Sequence, residues 1–461
     1  MNKASLILLS IFFSFTALAQ KEDSLQIKTI YNIALEEGHA YKNLRSLCKD
    51  VGARLSGSPE AEKAVSWAKN LLESYQFDKV WLMPVKVPHW IRGDIEQAGV
   101  NGTAMSIKTL GGSVSSNGRI EANVIEIQNF EELATLGEAK VKGKIVFYNR
   151  AFDRKLISTG NAYGACVNQR WSGASKASVY GAVGVFVRSL SHLKDKHAHT
   201  GSMGYEEGIQ KIPSVALSVQ DADMLSELLK TQPNAMAYLN VNSQTLADKD
   251  SYNVIAEIKG SIEPDKIITF GGHLDSWDVG EGAHDDGAGV VHSIEALRIL
   301  KAIAYQPRYT LRCVLFMNEE NGNNGGKTYA AVAKEKGEVH IAALESDAGG
   351  FVPRGFTMDG TEEQVKQMQS WEPLLEPYNL HIFKKGWGGV DIKPLKSQNV
   401  PLIGLRPDDQ RYFDHHHSDT DVFENVHQRE LELGAASFAS MIFLIDKYGL
   451  GTPPQLKMEK E

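Results

Sequence analysis

From Asn253 onward, short β-rich runs alternate with segments of helical spacing. NVIAEIKG, KIITFGGHLD, YTLRCVLFMNEE, VHIAALESD and VPLIGLRPD are the runs; VVHSIEALRILKAI and GGKTYAAVAKEKG are helical segments between them. Alternating β and α elements predict an α/β fold, with a mainly parallel mixed sheet sandwiched by helices. This restricts where function can sit, because such sheets gather their functional groups at the carboxyl ends of the strands.

Those strand ends carry one kind of side chain. KIITFGGHLDSWD ends in His273, Asp275 and Asp278, and the glycine-rich loop after it holds His284, Asp285 and Asp286. The next runs end in Glu319 and Glu320, then in Glu345 and Asp347, and RYFDHHHSDTD later presents His415, His416 and His417. Each alone has an ordinary structural use: a surface HxD pair, a helix cap, a solvated strand end, an exposed histidine. Their recurrence at successive strand ends, without cysteine, points instead to hard or borderline metal chemistry: zinc, with cobalt or manganese as substitutes. Charge balance favours two ions. Asp285, Glu320 and Asp347 offset most of the charge of two divalent cations, whereas one zinc leaves surplus buried carboxylates. An HxD pair lets Asp275 orient the His273 imidazole. Glu319, beside Glu320, is the candidate proton shuttle.

The rest of the chain supplies context. With 42% hydrophobic and 23% charged residues over 461 positions, the composition is that of a soluble globular protein of two to three domains. A net charge of −8 argues against a nucleic-acid binder. Three widely spaced cysteines form no CxxC pair, and are expected as buried free thiols. Residues 1–19 read as a signal peptide: Lys3, an apolar run of thirteen residues to Leu18, then an A-x-A site. The run is too short to span a bilayer, so a secreted or periplasmic protein without a stable membrane anchor is expected. Pro84 in KVWLMPVKV marks an edge strand or a break. A second α/β texture occupies residues 121–245, read as an insert between catalytic parts 20–120 and 246–452, with a loose tail at 453–461.

The ordered motifs HLDSWD, GAHDDGAG, NEENG, ESDAGG and a late HHS resemble the co-catalytic di-zinc exopeptidases of clan MH, and within them the carboxypeptidase Q family. KGKIVFYN, GASKASVYGAVGVFVRS and HTGSMGY are similar to that family's protease-associated domain. The resemblance covers nearly all of the mature chain. It implies a zinc-exopeptidase, phosphorylase/hydrolase-like fold and two zinc ions per chain: His273 and Asp347 on one, Glu320 and His417 on the other, Asp285 bridging. It further implies Asp275 orienting His273, Glu319 as general base and a cis bond between Asp285 and Asp286. His417 is preferred over His415 and His416 because His417-Ser418 followed by Asp421 fits the family's spacing.

The expected activity is hydrolysis of small unblocked peptides, dipeptides especially, by a homodimer. Lys384 and Lys385 are candidates for a substrate carboxylate, Asp391 for an amine and Tyr412 for the oxyanion. The insert is expected to shape the cleft without chemistry of its own, with His192, His197 and His199 on its surface. Longer-peptide aminopeptidases, single-metal glutaminyl cyclases and ligand-free receptor-like proteins share the scaffold; the complete ligand set argues against the last two.

Overall fold

The computed structural model describes residues 21–451. The expected signal peptide lies outside them, as does the expected tail. No helix among the described residues is long and apolar enough to cross a membrane.

One eight-stranded sheet carries the catalytic part. From edge to edge its strands are Lys79–Ile91, Gln244–Ile258, Tyr309–Phe316, Glu263–His273, Val339–Glu345, Leu402–Pro407, Pro353–Asp359 and Ile382–Lys385. The four strands from Tyr309–Phe316 to Leu402–Pro407 run parallel, and the sheet turns antiparallel on both flanks. Pro84 falls within the Lys79–Ile91 edge strand, where a missing amide donor costs least.

Side-chain alternation builds the two faces. Leu311, Cys313 and Leu315 pack with helices Pro59–Ser74, Ala288–Ala302 and Gln428–Tyr448 on one side. Val314 and Phe316 pack with Tyr329, Ala330 and Ala333 of helix Asn324–Glu335 on the other. Pro59–Ser74 starts as its SGSP sequence demands: the Ser58 side chain accepts from the Ala61 amide, and proline occupies the first helical position.

Register aligns the strand ends. His273 lies opposite Phe316, and Gly271 opposite Glu345. The residues just beyond each strand therefore share one rim of the sheet.

The insert has its own eight-stranded sheet, within which Ile120–Ile127, Ile145–Tyr148, Gly184–Arg188 and Ser214–Leu217 are parallel. Its start differs from the expected residue 121. Glu96–Val100, Thr103–Met105 and Ile107–Thr109 all hydrogen-bond into this second sheet. These strands are three to five residues long and partly exposed, too short to show a period in sequence. The long antiparallel pair Lys79–Ile91 and Gln244–Ile258 carries the chain out to the insert and back. Cys48, Cys166 and Cys313 are buried and free.

Candidate active site

Five segments bring their polar ends together on the rim. Asp285 lies at the centre, and its two carboxylate oxygens face opposite ways. Oδ1 is 3.1 Å from Nε2 of His273, and Oδ2 is 3.2 Å from Nε2 of His417. Asp347 approaches His273 Nε2 at 3.7 Å, and Glu320 approaches His417 Nε2 at 3.2 Å. Two ligands of one tetrahedral zinc, each about 2.0–2.1 Å from the ion, lie roughly 3.3 Å apart. The observed spacings, 3.1 and 3.7 Å on the His273 side and 3.2 Å twice on the His417 side, lie close to that value. The Asp285–Asp286 peptide bond is cis.

The residues fit a pair of divalent cations. Among the described residues, Asp285, Glu320 and Asp347 reach only histidines within ion-pair distance, never a lysine or arginine. The buried Oε1 of Glu320 has no hydrogen-bond partner. Three clustered carboxylates without a fixed cation are costly unless metal neutralises them. His273, Asp285 and Asp347 form one ligand group; Asp285, His416 and His417 form another.

Protonation follows the same arrangement. Burial lowers the His273 pKa, but hydrogen bonds to Asp285 and Asp347 outweigh it and raise the group well above its usual value. Asp285 is pulled well below the carboxylate range, because its two histidine partners overcome burial. Burial first, and then Asp285, push Glu320 up to about 7. Glu319 is raised well above the ordinary value by burial, and further by Asp347, Glu320 and Asp285 against the lowering effect of His273. A carboxylate raised in this way is a stronger proton acceptor.

The supports are specific. Nδ1 of His273 lies 2.9 Å from the main-chain oxygen of Asp275, while the Asp275 carboxylate is 3.8 Å away. That carboxylate instead accepts from the amides of Asn318, Glu319 and Glu320 at 2.7, 3.0 and 3.3 Å. Asp275 thus holds the imidazole through its backbone and the Glu319–Glu320 turn through its side chain. Asp286 accepts from the amides of His273 and Gly289, tying the first ligand strand to the start of Ala288–Ala302. Gly289 permits this closeness, since a Cβ there would stand 1.7 Å from the Ser346 carbonyl.

Four further residues support the site, and of these only Asp421 carries a signal in sequence, its spacing after His417-Ser418. Arg54 is fully buried and donates to the carbonyls of Leu274, Glu281 and Gly282, which flank the His273 and Asp285 ligand positions. Asp421 accepts from the amides of His284 and Asp285. The other two come from the insert. Thr200 donates its amide to the His417 carbonyl, and Nη1 of Arg170 lies 3.5 Å from His417 Nδ1. The partners of Arg54, Thr200 and Arg170 are distant in sequence, so neither periodicity nor motif spacing reveals them.

The expected surface position of His199 is corrected by the structure. His199 is buried, and its Nδ1 bonds the His416 carbonyl at 2.7 Å. His197 is exposed and pairs with Asp419, joining insert and catalytic part at the surface.

A cleft of about 970 Å³ opens over the rim, lined by Asp285, Glu319, Glu320, Asp347, His416 and His417. Tyr412 lines it, and so does Lys384. Two expected substrate contacts do not. Lys385 alternates to the other side of its strand, where it pairs with Glu362 at the surface. Asp391 is 1% exposed, with both carboxylate oxygens unpartnered. Burial, then the neighbouring Glu345, raise its pKa well above normal. The Lys393–Gln398 turn, packing Ile392 and Leu395 inward, draws Asp391 in with it.

The model of peptidase family M28 matches residues 253–441, which hold all five candidate ligands. Carboxypeptidase Q of Bos taurus is 34% identical over 420 residues, covering 90% of this chain and 87% of that protein. The chain belongs to peptidase family M28. It is a metallopeptidase by that membership. Carboxypeptidase Q of Xenopus laevis is 36% identical over 402 residues, 86% of this chain and 84% of that protein. Among solved structures, an M28 peptidase precursor from Shewanella amazonensis SB2B matches with a TM-score of 0.89 at 33% identity, covering 95% of this chain and 100% of that one. A zinc aminopeptidase from Bacillus subtilis shares the fold, with a TM-score of 0.64 at 17% identity over 88% and 94% of the two chains.

Proposed function

We propose that the protein is an exported di-zinc exopeptidase acting on small peptides with free termini, dipeptides foremost. One observation carries this reading: Asp285 sits with one oxygen toward His273 and Asp347, the other toward His417 and Glu320. His273 and Asp347 would hold one zinc, His417 and Glu320 the second, with Asp285 shared. Zinc bound there would supply carbonyl polarisation and an acidified water.

The chain's own residues do the rest. Glu319, in the cleft beside Asp347 and Glu320, takes the proton of the attacking water and returns it to the leaving amine. Asp275 holds Glu319 in place through its amide. His273 is kept in one tautomer by the Asp275 carbonyl, which accepts from Nδ1–H and leaves Nε2 free for metal.

Arg170 suits the substrate carboxylate. It lines the cleft, is 6% exposed, and its Nε has no partner. Its other contacts are the Tyr163 hydroxyl, the Thr200 carbonyl and His417, none of them an anion. A buried guanidinium without an anion gains most from a bidentate carboxylate. This reading makes the insert part of the site, in place of the expected Lys385.

The test is a metal count combined with a panel of free, N-blocked and C-amidated dipeptides. Two zinc ions per chain and markedly faster hydrolysis of free than of blocked dipeptides are expected. One ion per chain, or equal cleavage of blocked substrates, would overturn the reading.

A further inference from the structure

We propose that the insert carries a second small-molecule site, separate from the metal cleft, that takes a free amino acid as a zwitterion. The site is a cavity of about 410 Å³, a volume suited to a small ligand. It lies at the carboxyl ends of the insert's parallel strands, where α/β sheets place their ligands. Glu126 is the penultimate residue of the Ile120–Ile127 strand, Asn149 follows Ile145–Tyr148, and Arg188 ends Gly184–Arg188. Asp223 and Ser226 look in from helix Val219–Thr231, with Arg154 and Lys194 from the loops.

Two observations point to a ligand. Arg188 is 7% exposed, yet its Nε has no hydrogen-bond partner although the side chain lines the cavity. Arg154 bonds only the His192 carbonyl, so among the described residues its charge meets no carboxylate within ion-pair distance. Elsewhere the cavity is mixed in sign. Asp223 pairs with Arg188 and Lys194 at 2.7 and 2.9 Å, and Glu126 accepts from Asn149 and Ser226.

That mixture decides the ligand class. A phosphate would face Asp223 and Glu126 and be repelled. A zwitterion can set its carboxylate on Arg154 and Arg188 and its ammonium toward Glu126 or Asp223. Asn149, Ala151 and Phe152 border this cavity, while Ile157 and Ser158 of the same loop border the metal cleft. Naming an amino acid rests on the peptidase reading; the cavity and its charges do not.

The experiment is calorimetric titration of the zinc-loaded protein with L-leucine, and separately with inorganic phosphate. Leucine is expected to bind saturably. Arg154→Glu and Asp223→Asn each weaken it about tenfold or more, whereas Arg170→Ala in the metal cleft leaves it unchanged. Arg154 is exposed. Arg154→Glu should therefore keep wild-type dipeptide turnover, which shows that the variant is folded. Absence of saturable leucine binding, phosphate binding tighter than leucine, or loss of binding in Arg170→Ala but not Arg154→Glu each overturns the proposal. Leucine binding that meets these criteria in a protein unable to cleave dipeptides would sink the peptidase reading and leave the second site standing.

Discussion

The guanidinium of Arg170, carried by the insert, stands 3.5 Å from Nδ1 of His417, carried by the catalytic part. The two residues are 247 positions apart. The insert thus reaches the metal rim itself. Arg170→Ala should raise KM for free dipeptides about 10–100-fold, since a charged hydrogen-bonded contact is worth roughly 2 kcal/mol or more. C-amidated substrates, which offer no carboxylate, should change little. Steady-state kinetics on both substrate classes checks this, and an equal loss on both would assign Arg170 to support of His417 alone.

Glu319→Gln keeps the shape of the side chain and removes its basicity. Turnover should fall by about 10²–10⁴, the usual value of a positioned proton shuttle. Zinc content, measured by elemental analysis after dialysis, should stay at the wild-type value. Wild-type rates in this variant would remove Glu319 from the mechanism.

Replacing the shared carboxylate is a different experiment. Asp285→Ala removes the contact common to both ligand groups, so both ions should be lost on dialysis. His417→Ala should cost one. Chelation should also lower the thermal midpoint of the wild type by several degrees, because metal binds the folded state far better than the unfolded one. A melting curve unmoved by chelator would show that these residues hold no metal.

Arg54 tests the support behind the ligands. Arg54→Met fills similar space but leaves the carbonyls of Leu274 and Glu281 without this donor, while Gly282 keeps only the Gly287 amide. Unsatisfied buried groups cost about 1–3 kcal/mol each, so a loss on the order of 3 kcal/mol in urea unfolding is expected, with weaker zinc retention. Unchanged stability would mean that water replaces the guanidinium.

His199 makes one domain contact sensitive to acid. Burial lowers its pKa to about 4, against an ordinary value of 6.5. The unfolded chain therefore takes up this proton first. The stabilisation is complete above about pH 6.5 and drains away as pH falls toward 4, at about 1.4 kcal/mol per pH unit for one such group. In urea melts at several pH values, the wild type should lose stability relative to His199→Gln across that window. Parallel pH profiles for the two proteins would refute this assignment.

Much of the catalytic half was legible because both of its signals are local. Val314 and Phe316 alternate with Leu311, Cys313 and Leu315, and a period of two needs no partner to be seen. His273, Glu320 and Asp347 stand out because each closes an apolar run, and Asp285 because it lies with His284 and Asp286 in the loop after the first of those runs. Lys385 was misplaced because the four-residue strand Ile382–Lys385 is too short to show which face each residue takes, and Asp391 because of packing. The face a loop residue presents depends on what the loop packs against, and Ile392 and Leu395 pull Asp391 inside. The start of the insert was hidden because strands as short as Thr103–Met105 have no readable period.

The sequence by itself determined the element order, the faces of the central strands and the kinds of ligand available, because the pattern of apolar and polar residues along a chain is a short-range property. Only the tertiary structure decided that Asp285 turns one oxygen to His273 and the other to His417, that Arg54 bonds three carbonyls beside those ligands, and that Arg170 crosses from the insert to the cleft. Each of those contacts joins residues brought near by packing and strand register, and no residue's sequence neighbours encode where the distant partner will be.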